Sequence, residues 1–157
     1  AAEVGMRAIT FGVLLGLSEP RADVVHCALH ARSVADIYPE LEVGFSLPRI
    51  RPFAGSYIPD YIVNDALFVQ LMLAYKLWMP HAVVSISTRE EARFRDALIP
   101  IGANKMSAGS HTEVGGYTNG KQGEAQFVIN DTRSIAEVAT SIVACGYQPV
   151  FKDWHVF

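Results

Sequence analysis

Four short apolar runs separated by helical patterns constrain this chain more than any other feature. Residues 9–15 read ITFGVLL, residues 43–47 VGFSL and residues 82–86 AVVSI, while residues 104–108, NKMSA, form a weaker fourth run. The runs are near-continuous rather than alternating, as expected of parallel strands covered by helices. Residues 22–37 carry a helical stripe of Val24, Val25, Ala28, Leu29 and Ala35, closed by Pro39. Asp65 is placed to cap a strongly apolar helix with Leu67, Leu71, Ala74, Tyr75 and Trp78 on one side, ended by Pro80. A short helix over 91–98 stops at Gly102. Asn130 or Asp131 is placed to cap a last helix, with Ile135, Val138, Ile142 and Val143 as its stripe and Gly146 at its end.

Four strand–helix units predict an α/β fold, the parallel-sheet half of a (β/α)8 TIM-type barrel, as a single domain over residues 1–157. A complete barrel takes about 250 residues. A small open, doubly wound sheet fits the same periodicity. The opening Ala1-Ala2-Glu3, without methionine, reads as a fragment or a processed chain.

Half of the residues are hydrophobic and 18% are charged, which excludes a disordered chain. A net charge of −3 supplies no basic field for nucleic acid. No apolar run approaches the roughly 18 residues that cross a bilayer, so a soluble, cytoplasmic protein is expected. Cys27 and Cys145 lie far apart and form neither a metal-ligand spacing nor a disulfide framework. His26 and His30 share a helix face but lack an evident third ligand.

In either parallel architecture, ligands bind at the carboxyl ends of the strands. Four segments follow the strands there: Gly16-Leu17-Ser18-Glu19, Pro48-Arg49-Ile50-Arg51-Pro52, Ser87-Thr88-Arg89-Glu90 and Ser107-Ala108-Gly109-Ser110. Their arginines, carboxylates and hydroxyls suit a small zwitterionic or carboxylated ligand. Each also has a structural account. Gly12 and Gly16 serve close packing as readily as a ligand, and Arg49 and Arg51 lie in a loop pinned by prolines. Thr88 and Glu91 fit a Thr-x-x-Glu capping box. That box leaves Arg89 unexplained, because a cation is disfavoured at the positive end of a helix dipole.

The succession GVLLGLSE, LPRIRP, ISTRE with FRD after it, NKMSAGSHTEVGGY and QPVFKDW resembles the C-terminal half of the 2-iminoacetate synthase family, radical S-adenosylmethionine tyrosine lyases of thiamine biosynthesis. The resemblance covers essentially the whole chain. It implies a radical S-adenosylmethionine barrel with a [4Fe–4S] cluster that cleaves the Cα–Cβ bond of L-tyrosine, giving 2-iminoacetate and p-cresol. It implies thiazole synthase as a protein partner. Gly12, Leu14, Gly16 and Glu19, with Arg49, are then expected at S-adenosylmethionine. Arg51, Arg89, Ser107 and Ser110 are expected at tyrosine. The family's three-cysteine loop is missing, so this chain by itself is expected to be inactive. Two alternatives stand beside it: the related tyrosine lyase of [FeFe]-hydrogenase maturation, which carries a cysteine-bearing C-terminal domain where this sequence turns to FKDWHVF, and a non-catalytic half-barrel that binds or assembles. A half-barrel with two open sheet edges and an apolar lining is expected to pair with its missing N-terminal half or with a second copy.

Overall fold

The computed structural model describes residues 1–50, 57–112 and 127–151. After a short 3-10 turn at Ala2–Val4 come β1 (Ala8–Gly12), α1 (Pro20–Ile37), β2 (Glu42–Ser46), α2 (Asp65–Trp78), β3 (Val83–Ile86), α3 (Ala92–Leu98), a second 3-10 turn at Ile99–Ile101, β4 (Lys105–Met106) and α4 (Ile135–Ala144). The strands are parallel and lie in the order β1-β2-β3-β4. A doubly wound sheet reverses its order at a switch point. This one does not, and a half-barrel is what it forms.

Register sorts the side chains onto two faces. Phe11, Phe45 and Val84 are aligned across β1–β3, and Ile86 is aligned with Met106. Phe45, Val84 and Ile86 are buried in one cluster with Val24 and Ala31 of α1, Phe68, Leu71, Met72 and Tyr75 of α2, and Leu98 of α3. Phe45 and Tyr75 stack at 4.0 Å and nearly parallel. The opposite face carries Ala8, Thr10 and Gly12 of β1, Glu42, Gly44 and Ser46 of β2, Val83 and Ser85 of β3 and Lys105 of β4. Among the described residues this face is mixed: Gly12, Ser46 and Ser85 make it small and polar toward the carboxyl ends of the strands, while Ala8 and Val83 keep part of the expected apolar lining. A barrel interior near a polar ligand has to satisfy that ligand's hydrogen bonds.

Helix starts depart from expectation at four places, each for an identifiable reason. α1 begins at Pro20, ahead of the periodic stripe, because the Glu19 side chain accepts the Ala22 N–H at 2.7 Å and proline at the first position loses no bonded N–H. Val25 and Leu29, assigned to its buried stripe, are about half exposed (54% and 53%). α2 is capped by Asn64, whose Oδ1 accepts the Leu67 N–H at 2.9 Å, and not by Asp65. Before α3, Glu91 itself occupies the cap position without a side-chain bond, so the Thr88–Glu91 box does not form. α4 is capped by a Ser134–Glu137 box rather than by Asn130 or Asp131. Gly146 takes the left-handed conformation (φ 86°) just past α4, as expected.

Candidate functional site

The carboxyl ends of the strands form one rim, from the exit of β1 to the exit of β4. Three strand intervals separate those ends, about 14 Å at the usual spacing.

At the β1 end the chain leaves the sheet at Gly12 and returns to it at Leu15, which forms a parallel bridge with Arg49. The Leu15 N–H donates to the Pro48 carbonyl (2.8 Å) and the Ile50 N–H to the Leu15 carbonyl (3.0 Å). Gly12 is needed for packing, because a Cβ there would lie 2.8 Å from Ser46 Oγ. Gly16 is needed for conformation, with φ at 112° and the Tyr61 carbonyl and Ile50 close by. Leu14 is exposed between them. Glu19 is engaged at the start of α1. The structural account of Gly12 and Gly16 is therefore realised in the fold, and Glu19 has a helix-capping role that was not read from the sequence. Beside this loop opens a cleft of about 330 Å³, lined largely by apolar side chains that include Leu15, Ile50, Pro59 and Tyr61.

Arg49 also lines that cleft, but its guanidinium turns into the protein. Nε donates to Glu90 Oε1 (3.0 Å), Nη2 to Glu90 Oε2, and Nη1 to both Asp65 Oδ1 (2.7 Å) and the Val63 carbonyl (3.0 Å). Its Cζ stands 5.1 Å from the ring centres of both Phe68 and Phe94. Burial lowers its pKa, but Glu90 and Asp65 outweigh burial and leave it raised. Arg49 thus ties the β2 exit to the turn after β3. Arg51 lies outside the described residues.

At the β3–β4 end, the Ser107 N–H donates to the Ile86 carbonyl (3.1 Å), which continues the parallel pairing and sets Ser107 next to Ser87. Two residues beyond Ser87, half-buried Arg89 lays its guanidinium against Phe127, 3.5 Å from the ring centre. Its carbonyl accepts from Asn130 Nδ2 at 2.9 Å. Ser107 thus lies beside Ser87, two residues ahead of Arg89, and Ser110 follows on the same half-buried segment. Gly12, Leu14, Gly16 and Glu19 gather at the far end of the rim. Lys105, not singled out from sequence, is exposed on that same face in register with Ser85. Its position within the weak fourth run gave no period from which to read that.

Beneath Ser107 sits a buried ion cluster. Arg95, fully buried, donates to Asp131 and to the Ser107 carbonyl. Asp131 also accepts from Arg133 (2.7 Å), which pairs in turn with Asp96 (3.0 Å). Burial raises the Asp131 carboxyl, yet hydrogen bonds from Arg133 and the charge of Arg95 override it, holding it at about 2. Burial pushes Arg95 down despite the pull of Asp131.

The donor set does not fit an iron–sulfur cluster. Cys27 is half-buried within α1 and Cys145 is exposed at the end of α4, and burial pushes the Cys27 thiol up, away from a thiolate. Among the described residues, no three His, Cys, Asp or Glu side chains converge as metal ligands. No helix among them is long and apolar enough to cross a membrane.

A family model described as the Biotin and Thiamin Synthesis associated domain matches residues 46–148. Over 151 residues, 96% of the chain, the sequence is 38% identical to 2-iminoacetate synthase of Escherichia coli (strain K12) and 37% identical to that of Salmonella typhimurium. The chain spans 40% of the length of these curated relatives. The fold matches the X-ray structure of the FeFe-hydrogenase maturase HydG from Carboxydothermus hydrogenoformans with a TM-score of 0.83 and 29% identity, over 98% of this chain and 35% of that one. A second HydG structure matches with a TM-score of 0.82 and 34% identity, over 93% of this chain and 32% of that one.

Proposed function

Since the chain belongs to the Biotin and Thiamin Synthesis associated domain family and resembles 2-iminoacetate synthases along nearly all its length, we propose that it is the C-terminal half-barrel, residues 1–157, of a cytoplasmic radical S-adenosylmethionine tyrosine lyase. In this reading the full-length lyase cleaves L-tyrosine to 2-iminoacetate and p-cresol for thiamine thiazole synthesis, with thiazole synthase receiving the product. S-adenosylmethionine and a [4Fe–4S] cluster supply the radical in such lyases, and the cluster's thiolates come from outside this chain.

What this chain contributes is the shape and charge of the rim. Arg89 carries the proposal: a guanidinium at the end of β3, with its face on Phe127, directs an in-plane N–H fork that suits a carboxylate. Ser107 and Ser110 add hydroxyls from the neighbouring strand end, and Arg51 is assigned to tyrosine from the family resemblance alone. At the β1 end, exposed Leu14 between Gly12 and Gly16, with the apolar cleft beside Leu15, suits the flat adenine of S-adenosylmethionine. Glu19 and Arg49 complete that end, Arg49 by fixing the loop from beneath.

In the full-length protein, Arg89→Ala is expected to lower p-cresol formation roughly 10- to 100-fold, the range for losing a charge-assisted hydrogen bond, with folded content unchanged. Undiminished turnover would remove Arg89 from the site. The second reading, hydrogenase-cofactor maturation, is favoured by the close fit to HydG. A second iron–sulfur cluster on the full-length protein would decide for maturation, and a single cluster for the thiamine pathway.

A further inference from the structure

Residues 127–131 form a strap across the exit of β3, and it touches the turn there at four points. The Asn130 and Asp131 N–H groups both donate to the Thr88 carbonyl, at 3.0 and 3.1 Å. Asn130 Nδ2 donates to the Arg89 carbonyl at 2.9 Å, and the Phe127 ring lies under the Arg89 guanidinium at 3.5 Å. The strap is anchored at both ends. The Phe127 carbonyl accepts from Thr112 Oγ1 (3.2 Å), and the Asp131 carboxylate is buried against Arg95 and Arg133. Arg95 in turn donates to the Ser107 carbonyl.

We propose that Phe127, Asn130, Asp131 and Arg95 are positioning residues that set Arg89 and Ser107 as one carboxylate clamp. The inference rests on the reading of Arg89 and Ser107 as the grip on the substrate carboxylate. An arginine side chain has many rotamers, and a bidentate grip tolerates only small angular error. A ring against the guanidinium limits the orientations that the side chain can take. Bonds to the Thr88 and Arg89 carbonyls fix the backbone from which that side chain departs. The Arg95 contact sets the height of Ser107 through the same buried carboxylate that anchors the strap, so both halves of the clamp share one support.

The test uses the full-length protein and two probes, L-tyrosine and tyramine, which differ only in the carboxylate. Phe127→Leu is expected to weaken L-tyrosine binding roughly 3- to 5-fold, the range of a lost cation–π contact, and to leave tyramine binding unchanged. Phe127→Tyr, which keeps the ring face, retains the wild-type preference. Asn130→Ala removes one bond from an exposed side chain and shows the same selective loss, so the result does not depend on how well Phe127→Leu folds. Equal weakening of both probes, or no weakening of L-tyrosine in either variant, overturns the positioning role. Arg89→Ala separates the two levels. If it keeps the preference for L-tyrosine, the clamp reading itself fails. If it abolishes the preference while Phe127→Leu and Asn130→Ala retain it, only the strap assignment fails.

Discussion

Asp131 lies a few residues ahead of the apolar helix α4 (Ile135–Ala144), in a stretch where an aspartate often caps. Here it is fully buried and accepts from Arg95 and Arg133. The true cap was legible in Ser134-Ile135-Ala136-Glu137, a capping-box spacing that the more prominent Asp131 hid. Its folded pKa of about 2 lies below the ordinary aspartate value of 3.8, so the stabilisation is present above about pH 4 and is lost as pH falls toward 2. Its size is about 2 kcal/mol. Asp131→Asn is expected to cost about 3 kcal/mol or more at pH 7, because Arg95 keeps a buried charge without its counter-ion. The same variant should lose stability less steeply below pH 4 than the parent. Urea midpoints at pH 7, 4 and 2 measure both effects, and parallel curves would exclude Asp131 as the acid-sensitive group. The site's other residue-scale surprise, Phe127 under Arg89, had no sequence signal, since nothing local links positions so far apart along the chain.

At the scale of elements, type and order were readable because period and punctuation are local properties. Starts were less so. Glu19 illustrates the cost of ambiguity: one residue fits both a cofactor motif and the first turn of α1, where its carboxylate accepts the Ala22 N–H. Substitution can separate these. Glu19→Ala is expected to cost about 1 kcal/mol through the lost cap, whereas Glu19→Ser, itself a strong cap, should cost less than about 0.5 kcal/mol. If the carboxylate also meets S-adenosylmethionine, both variants bind that cofactor more weakly in the full-length protein. Unchanged affinity in both assigns Glu19 to the helix alone. Thr88 shows the converse. Its side chain caps nothing at α3, but its carbonyl receives two N–H groups from the strap before α4.

The whole molecule is half of a closed architecture. Among the described residues β1 pairs only with β2, and β4 only with β3, leaving an outer edge on each. Unpaired strand edges seek partners. Exposed apolar side chains, including Ile62 (90%) and Leu77 (83%), add to the surface that water disfavours. The isolated chain is therefore expected to associate with itself or with the missing half. Sedimentation velocity and a dye that reports exposed apolar surface test this, and a monodisperse monomer with no dye signal would contradict it.

Sequence alone determined the four strand–helix units, their parallel class and the rim segments that bear chemistry, because periodicity and the strand-end rule need only neighbouring residues. Tertiary structure decided the strand order that makes a half-barrel, the mixed character of the face opposite the helices and the pairing of the buried charges. It turned Arg49 and Arg95 into buried ion pairs and stacked Arg89 on Phe127. Those outcomes depend on which distant groups meet and how much water they exclude, and a one-dimensional pattern carries neither quantity.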